Sequence, residues 1–293
     1  MLAAMPRLLS SLVWLACCAT PLFMAFFVML RKRQHSRARR QHPFREFKRR
    51  PAGESLRLKL IELDDKLVDR LVLFMSVPAM LWAIGPTLPQ AGWGLLLLAV
   101  LASSAWVAVC GRKIYRLDRE RSDYQLGFDG ERFVGEALTP LVAEGFVIYH
   151  DVPFEGFNID HVLVGPPGVF AVETKTRRKP VDEAGTKDYR VEFDGIKLQW
   201  PWGADTRDVE QAVNNARTLA QWLGSAVGES VYVTPILTLP GWMVNRTAPP
   251  TRVHVVNPKE IIKVCGSKEA ALSDILIRRI CHQLDQKCRI AVD

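Results

Sequence analysis

Residues 158–175 constrain the fold more than any other stretch of this chain. Asn158-Ile-Asp-His-Val-Leu-Val164 reads as a strand, Gly165-Pro-Pro-Gly168 as a tight connection, and Val169-Phe-Ala-Val-Glu-Thr-Lys175 as the returning strand. Pairing Val164 with Val169 runs the register backward one for one and sets Asp160 opposite Glu173. Opposed residues on one face of an antiparallel pair have Cβ atoms roughly 4.5–5.5 Å apart. Lys175, two residues on, shares that face. Two carboxylates so close repel each other unless a cation lies between them, and oxygen-only ligation with room for water suits Mg²⁺ or Mn²⁺. Two acids and a lysine around such an ion are equipment for hydrolysing a phosphodiester. The bland alternative is a Glu-x-Lys ion pair on the wet face of an amphipathic strand, which contributes little.

Two helices flank the hairpin. In Glu131-Arg-Phe-Val-Gly-Glu-Ala-Leu-Thr-Pro-Leu141 the apolar stripe is Val134, Ala137, Leu138 and Leu141, and Glu131 sits one turn ahead of Val134 on that buried side. An acid on an apolar face needs a reason, such as a metal or water to bind, or the helix dipole of the first turn. Glu136 points the other way. In the helix expected from Asp208 to Leu223 the stripe is Val209, Ala212, Val213, Ala216, Leu219 and Leu223, and Gln211 lies off it.

Gly127-Phe-Asp-Gly130-Glu131, Asn158-Ile-Asp-His161, Gly165-Pro-Pro-Gly-Val-Phe170, Glu173-Thr-Lys175 and Gln211-Ala212 stand in an order and spacing that resembles the nuclease-related domain (NERD) family, a branch of the PD-(D/E)xK nuclease-like superfamily. The resemblance covers residues 127 to about 223. It implies a mixed α/β fold with a restriction-endonuclease-like core, a mixed sheet flanked by helices. It also implies that Asp160 and Glu173 bind the metal, that Lys175 orients or polarises the attacking water, that Glu131 is the acid from the first helix, and that Gln211 belongs to the site. Ile159 stands where the superfamily name has proline, as is usual in this family. Arg207-Asp-Val-Glu210 stands where the family often has Asn-Pro ahead of the glutamine. His161 matches the family pattern but points to the strand face away from Asp160, and reads as structural.

Leu8 to Leu30 contains no charged residue and is long enough to span a bilayer. Leu71 to Gly111 is also uncharged and is divided at Gly85-Pro86-Thr-Leu-Pro89-Gln-Ala-Gly92 into spans of roughly Val68–Pro86 and Trp93–Cys110. Three transmembrane helices are therefore expected, the first ending in Arg31-Lys-Arg33 rather than in a small-residue cleavage site. Residues 31–70 hold 14 Lys and Arg against 6 Asp and Glu, a net charge of +8 that equals that of the whole chain. That loop belongs on the cytoplasmic side, with the N-terminus and the Pro86–Gly92 turn outside and residues 111–293 in the cytoplasm. The basic pI of about 9.3 is thus explained by topology, not by a basic soluble domain. A local basic surface at Arg177-Arg-Lys179, with Lys187 and Arg190 nearby, is the candidate nucleic-acid contact.

The expected segments are span 1 (1–30), a basic loop (31–66), a helical hairpin (67–110), a linker (111–126), the nuclease-like domain (127–240) and a C-terminal extension completing it (241–293). Within the soluble part the reading is helix 130–144, strand 146–153, the two motif strands, a hairpin turning at Asp194-Gly195, helix 208–223, strands 230–239 and 252–256, and helix 268–288. Asn245-Arg-Thr and Pro249-Pro250 read as loop. Cys265, Cys281 and Cys288 form no Cys-x-x-Cys, so neither a zinc site nor a disulfide framework is expected. No Gly-x-x-x-x-Gly-Lys loop suggests ATP. Trp200-Pro-Trp202 reads as aromatic packing over a sheet edge before base stacking. The function expected is a membrane-anchored, Mg²⁺- or Mn²⁺-dependent nuclease acting on nucleic acid, DNA first, in the cytoplasm, with the bilayer as its other partner. The alternatives are a catalytically silent NERD-fold module that binds or senses nucleic acid at the membrane, and a membrane-assembly component.

Overall fold

The structure, a computed structural model, describes residues 49–84, 93–180, 189–248, 252–266 and 269–289. The chain divides into two units, the first holding the described part of Leu60–Ser122 and the second that of Arg45–Lys59 with Asp123–Asp293. Two helices, α1 (Glu54–Ile84) and α2 (Trp93–Leu138), contribute residues to both units, and the described part of the first consists of their stretches within Leu60–Ser122. Trp106 Nε1 donates to the Leu73 carbonyl at 3.3 Å, and Arg121 pairs with Asp64 at 2.5 Å, so within this unit the two helices lie side by side.

Among the described residues one helix, α2, is long and apolar enough to cross a membrane by length and composition, where three were expected. The expected span Leu8–Leu30 lies outside the described residues. Charge on α1 persists to Arg70, so its uncharged run Leu71–Ile84 is 14 residues, short of the ~20 that cross a bilayer. On α2, Leu97, Leu98, Val100 and Leu101 are all at least 60% exposed, an apolar surface that water penalises and lipid does not.

The helix carrying Glu131 does not begin at Gly130. It runs unbroken from Trp93 through the expected linker 111–126, because residues 112–129 contain no proline and a nucleated helix propagates. Pro140 then helps to end it, and the chain tightens into a 3₁₀ turn over Thr139–Val142. The expected boundary at residue 66 likewise falls inside α1.

The second unit is mixed α/β, with two mixed sheets. The larger has strand order β1-β2-β3-β7-β9: β1 (Val147–Phe154), β2 (Phe157–Gly165) and β3 (Gly168–Thr174) are antiparallel neighbours, while β7 (Val233–Thr238) and β9 (His254–Val256) run parallel to β3. Period-two alternation divides its side chains between two cores. Val162, Val164, Val169 and Ala171 pack on α3 (Arg207–Val227) and on α5 (Asp274–Lys287), through Ala216, Leu219, Leu223, Ile280 and Leu284. Leu163, Phe170 and Val172 pack on Val134 and Leu138 of α2 and on Ile261 and Cys265 of α4 (Ile261–Gly266). The smaller sheet, ordered β6-β5-β4-β8, comprises β6 (Gly203–Asp205), β5 (Leu198–Trp200), β4 (Arg190–Phe193) and β8 (Met243–Arg246). Asn245 and Arg246, expected in a loop, are strand here: β8 pairs with β4 in parallel, a partnership some 50 residues distant that no local pattern announces. Cys110, Cys265, Cys281 and Cys288 are free thiols.

A buried acid fastens the residues preceding α1 to this sheet. Asp151 has φ 49°, and the β1–β2 ladder skips it, passing from His150↔His161 to Val152↔Ile159. Its carboxylate accepts from Arg50 Nη2 at 2.7 Å, Ser55 N at 3.0 Å, Ser55 Oγ at 2.7 Å and Asn158 Nδ2 at 3.0 Å. Because Ser55 N is a first-turn amide, Asp151 caps α1 from the sheet.

Candidate functional site

The motif hairpin has the expected register, with Val164 opposite Val169 and the ladder running to His161↔Val172. It stops one pair short of Asp160 and Glu173. There the Thr174 amide donates to Asp160 Oδ2 at 2.7 Å instead of to a neighbouring strand. β3 meanwhile keeps its parallel pairing with β7 through Glu173↔Leu237 and Thr174↔Thr238, extended by Lys175 N donating to the Thr238 carbonyl at 3.0 Å. The backbone pairing of β2 and β3 therefore ends at the position where the acids stand, and a side chain replaces it.

Glu173 is 3% exposed, and both its oxygens are held. Lys175 Nζ lies 2.8 Å from Oε1, Gln211 Nε2 donates to Oε1 at 2.7 Å, and Asn215 Nδ2 donates to Oε2 at 2.7 Å. Gln211 thus reaches the site although it stands off the apolar stripe of α3. The reason is a polar stripe beside it: Asp208, Gln211 and Asn215 recur at i, i+3 and i+7 and share a face. Asp208 anchors the stripe, accepting from Arg177 Nη2 at 2.9 and 3.2 Å. Asn215 was not singled out from sequence; the signal was this spacing, three polar side chains bordering an apolar stripe.

Glu131 is 7% exposed, and its Oε2 is buried without a hydrogen-bond partner. Glu136 is exposed and faces Arg132 at 3.6 Å. The turn carrying Glu131 approaches the end of β3 closely: a Cβ on Gly130 would lie 1.8 Å from Thr176 Oγ1.

The electrostatics of these groups share one cause. Burial, then the neighbouring charges of Glu173 and Glu131, pushes the Asp160 carboxyl well above its usual range, against the Thr174 amide and Lys175. Burial, then Asp151 and Glu173, pushes Glu131 up to about 8, opposed by Lys175 and by the Gly53 amide. Burial also raises Glu173, against Lys175 and Asn215. Burial works to lower Lys175, but the Glu173 carboxylate outweighs it and the ammonium is held above its ordinary value. One ammonium cannot neutralise three carboxylates, so the cluster retains protons. The same deficit fits a hard divalent cation. The donors are carboxylate oxygens, and Glu131 Oε2 is orphaned. No group of three or more His, Cys, Asp and Glu side chains among the described residues is already gathered to hold a metal, and both Glu173 oxygens are engaged by Lys175, Gln211 and Asn215.

Residues 126–240 match the family model of the nuclease-related domain (NERD). The match spans about two fifths of the chain and contains Glu131, Asp160, Glu173, Lys175 and Gln211. No curated protein and no solved structure matches the chain.

Within this nuclease-related domain the expected basic surface is mostly neutralised. Arg177 is paired with Asp208 at 2.9 Å and Arg178 with Asp123 at 3.0 Å, while Lys179 Nζ lies over the Tyr189 ring, 5.5 Å from its centroid. Lys187 lies outside the described residues. His161 is fully buried, and its Nδ1 meets His150 Nδ1 at 2.8 Å. Burial lowers the pKa of both rings, and His150 lowers His161 further, which favours a neutral pair sharing one hydrogen bond. Trp200 is buried, Trp202 stacks on it at 5.2 Å and 11°, and Trp242 meets both edge-on.

Proposed function

We propose that this chain is a membrane-anchored nuclease of the PD-(D/E)xK type, hydrolysing nucleic-acid phosphodiester bonds with Mg²⁺ or Mn²⁺. The observation that carries the reading is the charge-deficient cluster Glu131, Asp160, Glu173 and Lys175 at the place where β2 and β3 part, within a nuclease-related domain. Asp160, Glu131 and Glu173 would hold the cation. When bound, it lowers the pKa of a coordinated water and offsets negative charge on the phosphate. The chain's own residues do the rest. The Thr174 amide fixes the Asp160 carboxylate, and Gln211 and Asn215 fix Glu173. Lys175, protonated beside Glu173, orients the attacking water and stabilises charge on the phosphoryl oxygens. Beyond the end of β3, Lys179 is the cation of the Arg177–Lys179 run without an acid partner among the described residues, and so the one left for the substrate backbone.

For location, the apolar surface of α2 supports membrane attachment. The basic excess of residues 31–70 supports placing the nuclease-related domain in the cytoplasm.

The test is the full chain in detergent, incubated with labelled DNA and RNA, single- and double-stranded, with and without Mn²⁺. Cleavage should require the ion, and Lys175→Ala should abolish it while metal affinity by calorimetry stays within a few-fold. Cutting at the parental rate by Lys175→Ala removes that residue from the mechanism. A second reading is favoured by the full engagement of both Glu173 oxygens: a silent nuclease fold that binds or senses nucleic acid. It requires that Mn²⁺ titration show no Asp160-dependent heat.

A further inference from the structure

A cleft of about 490 Å³ opens in the second unit, lined among others by Phe133, Tyr189, Trp242, Met243, Lys259 and Glu260. Phe133 is 47% exposed and Tyr189 42%, and one face of the Tyr189 ring lies beneath Lys179. The cleft adjoins the segment that follows β3, just beyond the candidate site. Trp242, in its wall, donates from Nε1 to the Arg177 carbonyl at 3.2 Å, and Arg177 is two residues beyond Lys175, on the order of 7 Å along an extended chain. Its charge is positive where it is free. Glu260 is paired with Arg246 at 3.2 Å, whereas Lys259 and Lys179 have no acid partner among the described residues. Lys179 stands over Tyr189 and beside Gly241, which also lines the cleft.

We infer that this cleft takes unpaired nucleotides leading into the candidate site, so that the substrate class is single-stranded nucleic acid; the inference rests on the phosphodiesterase reading above. Exposed rings interleaved with unpaired lysines match a strand whose base faces are available for stacking and whose phosphates need cations. In a duplex the base faces are covered by one another, so the lysines alone would contribute and the rings would have no ligand. An acidic peptide would meet the lysines but has no planar group for Tyr189 and Phe133.

The experiment measures binding of fluorescein-labelled oligothymidine, and of a blunt duplex of equal length, to the full chain in detergent with EDTA to suppress hydrolysis. Oligothymidine should bind more tightly than duplex. Tyr189→Ala and Phe133→Ala, both truncations of exposed rings, should each weaken oligothymidine about tenfold and leave duplex affinity unchanged. Lys259→Ala should weaken both and flatten the salt dependence. Parental affinity for oligothymidine in both ring variants overturns the assignment, as does displacement by polyglutamate at equal charge concentration. If hydrolysis in Mn²⁺ persists in that case, the nuclease reading stands without the cleft. If the parent chain neither binds nor cuts any nucleic acid, both readings fall.

Discussion

Glu131, Asp160 and Glu173 share a single ammonium, that of Lys175, and this shortage of positive charge makes the site pH-sensitive. In the unfolded chain a glutamate titrates near 4.5, whereas Glu131 in the fold is pushed up to about 8. Between those values the folded state binds the extra proton, so stability is greatest at low pH and falls as pH rises toward 8. For Glu131 the loss is roughly 2–5 kcal/mol. In EDTA, thermal melts should shift downward from pH 5 to pH 8, and Glu131→Gln should flatten that slope. A slope unchanged in the variant would remove Glu131 as its source. Mn²⁺ affinity should run the opposite way and rise with pH, because the cation competes with those protons. Asn215 offers a second check. Asn215→Leu leaves Glu173 Oε2 without its 2.7 Å donor inside the protein, which should destabilise by about 1–3 kcal/mol and slow cleavage; parental stability in urea would show that the bond contributes nothing. The acids and the lysine were legible in the chain because strand periodicity and hairpin register are local rules. Asn215 was not, because its partner lies 42 residues away.

At the scale of elements, the helix that brings Glu131 to the sheet depends on a glycine. Gly130 lets α2 pass so close to the end of β3 that an added Cβ would meet Thr176 Oγ1 at 1.8 Å and Thr176 Cβ at 2.9 Å. Gly130→Ala should therefore push the Glu131 turn away from the site, costing about 1–3 kcal/mol and most of the activity. Thr176→Gly in the same chain should recover both. A melt of the single variant identical to the parent would mean that the two elements have room to spare. The length of α2 was misjudged from sequence for a reason tied to particular residues. Gly127 and Gly130 resemble punctuation in a local reading, and the charged stretch from Arg112 to Asp129 resembles a linker. None of them is a proline, and the helix continues through all of them. In the second sheet the hairpin expected at Asp194-Gly195 is present as β4 and β5, while β6 and β8 were missed because they are short strands, of 3 and 4 residues, whose pairing partners define them.

For the molecule as a whole, the residues that precede α1 belong to the same unit as the nuclease-related domain. Arg50 and Ser55 satisfy Asp151, which is 1% exposed, and the Gly53 amide supports Glu131. A soluble fragment beginning at residue 111 discards all three and leaves a buried carboxylate short of its arginine. Compared with the full chain in the same detergent, that fragment should lose about 3–5 kcal/mol, read from tryptophan fluorescence in urea. Equal midpoints would show that the segment is dispensable. Functional assays accordingly belong on the full chain.

What the sequence alone determined was the hairpin: a tight Gly-Pro-Pro-Gly connection, two apolar strands and a period of two leave little freedom of register, so Asp160, Glu173 and Lys175 were bound to meet at one end of one sheet. It also determined that Glu131 would be buried, because helical spacing places it with Val134 and Leu138. What only the tertiary structure decided was how those charges are balanced. The grip of Gln211 and Asn215 on Glu173, the closeness of Gly130 to Thr176 and the clasp of Asp151 on Arg50 and Ser55 join residues 38 to 101 positions apart. Burial and Coulomb interactions act through space, and no pattern along the chain encodes which distant groups the fold will bring within their reach.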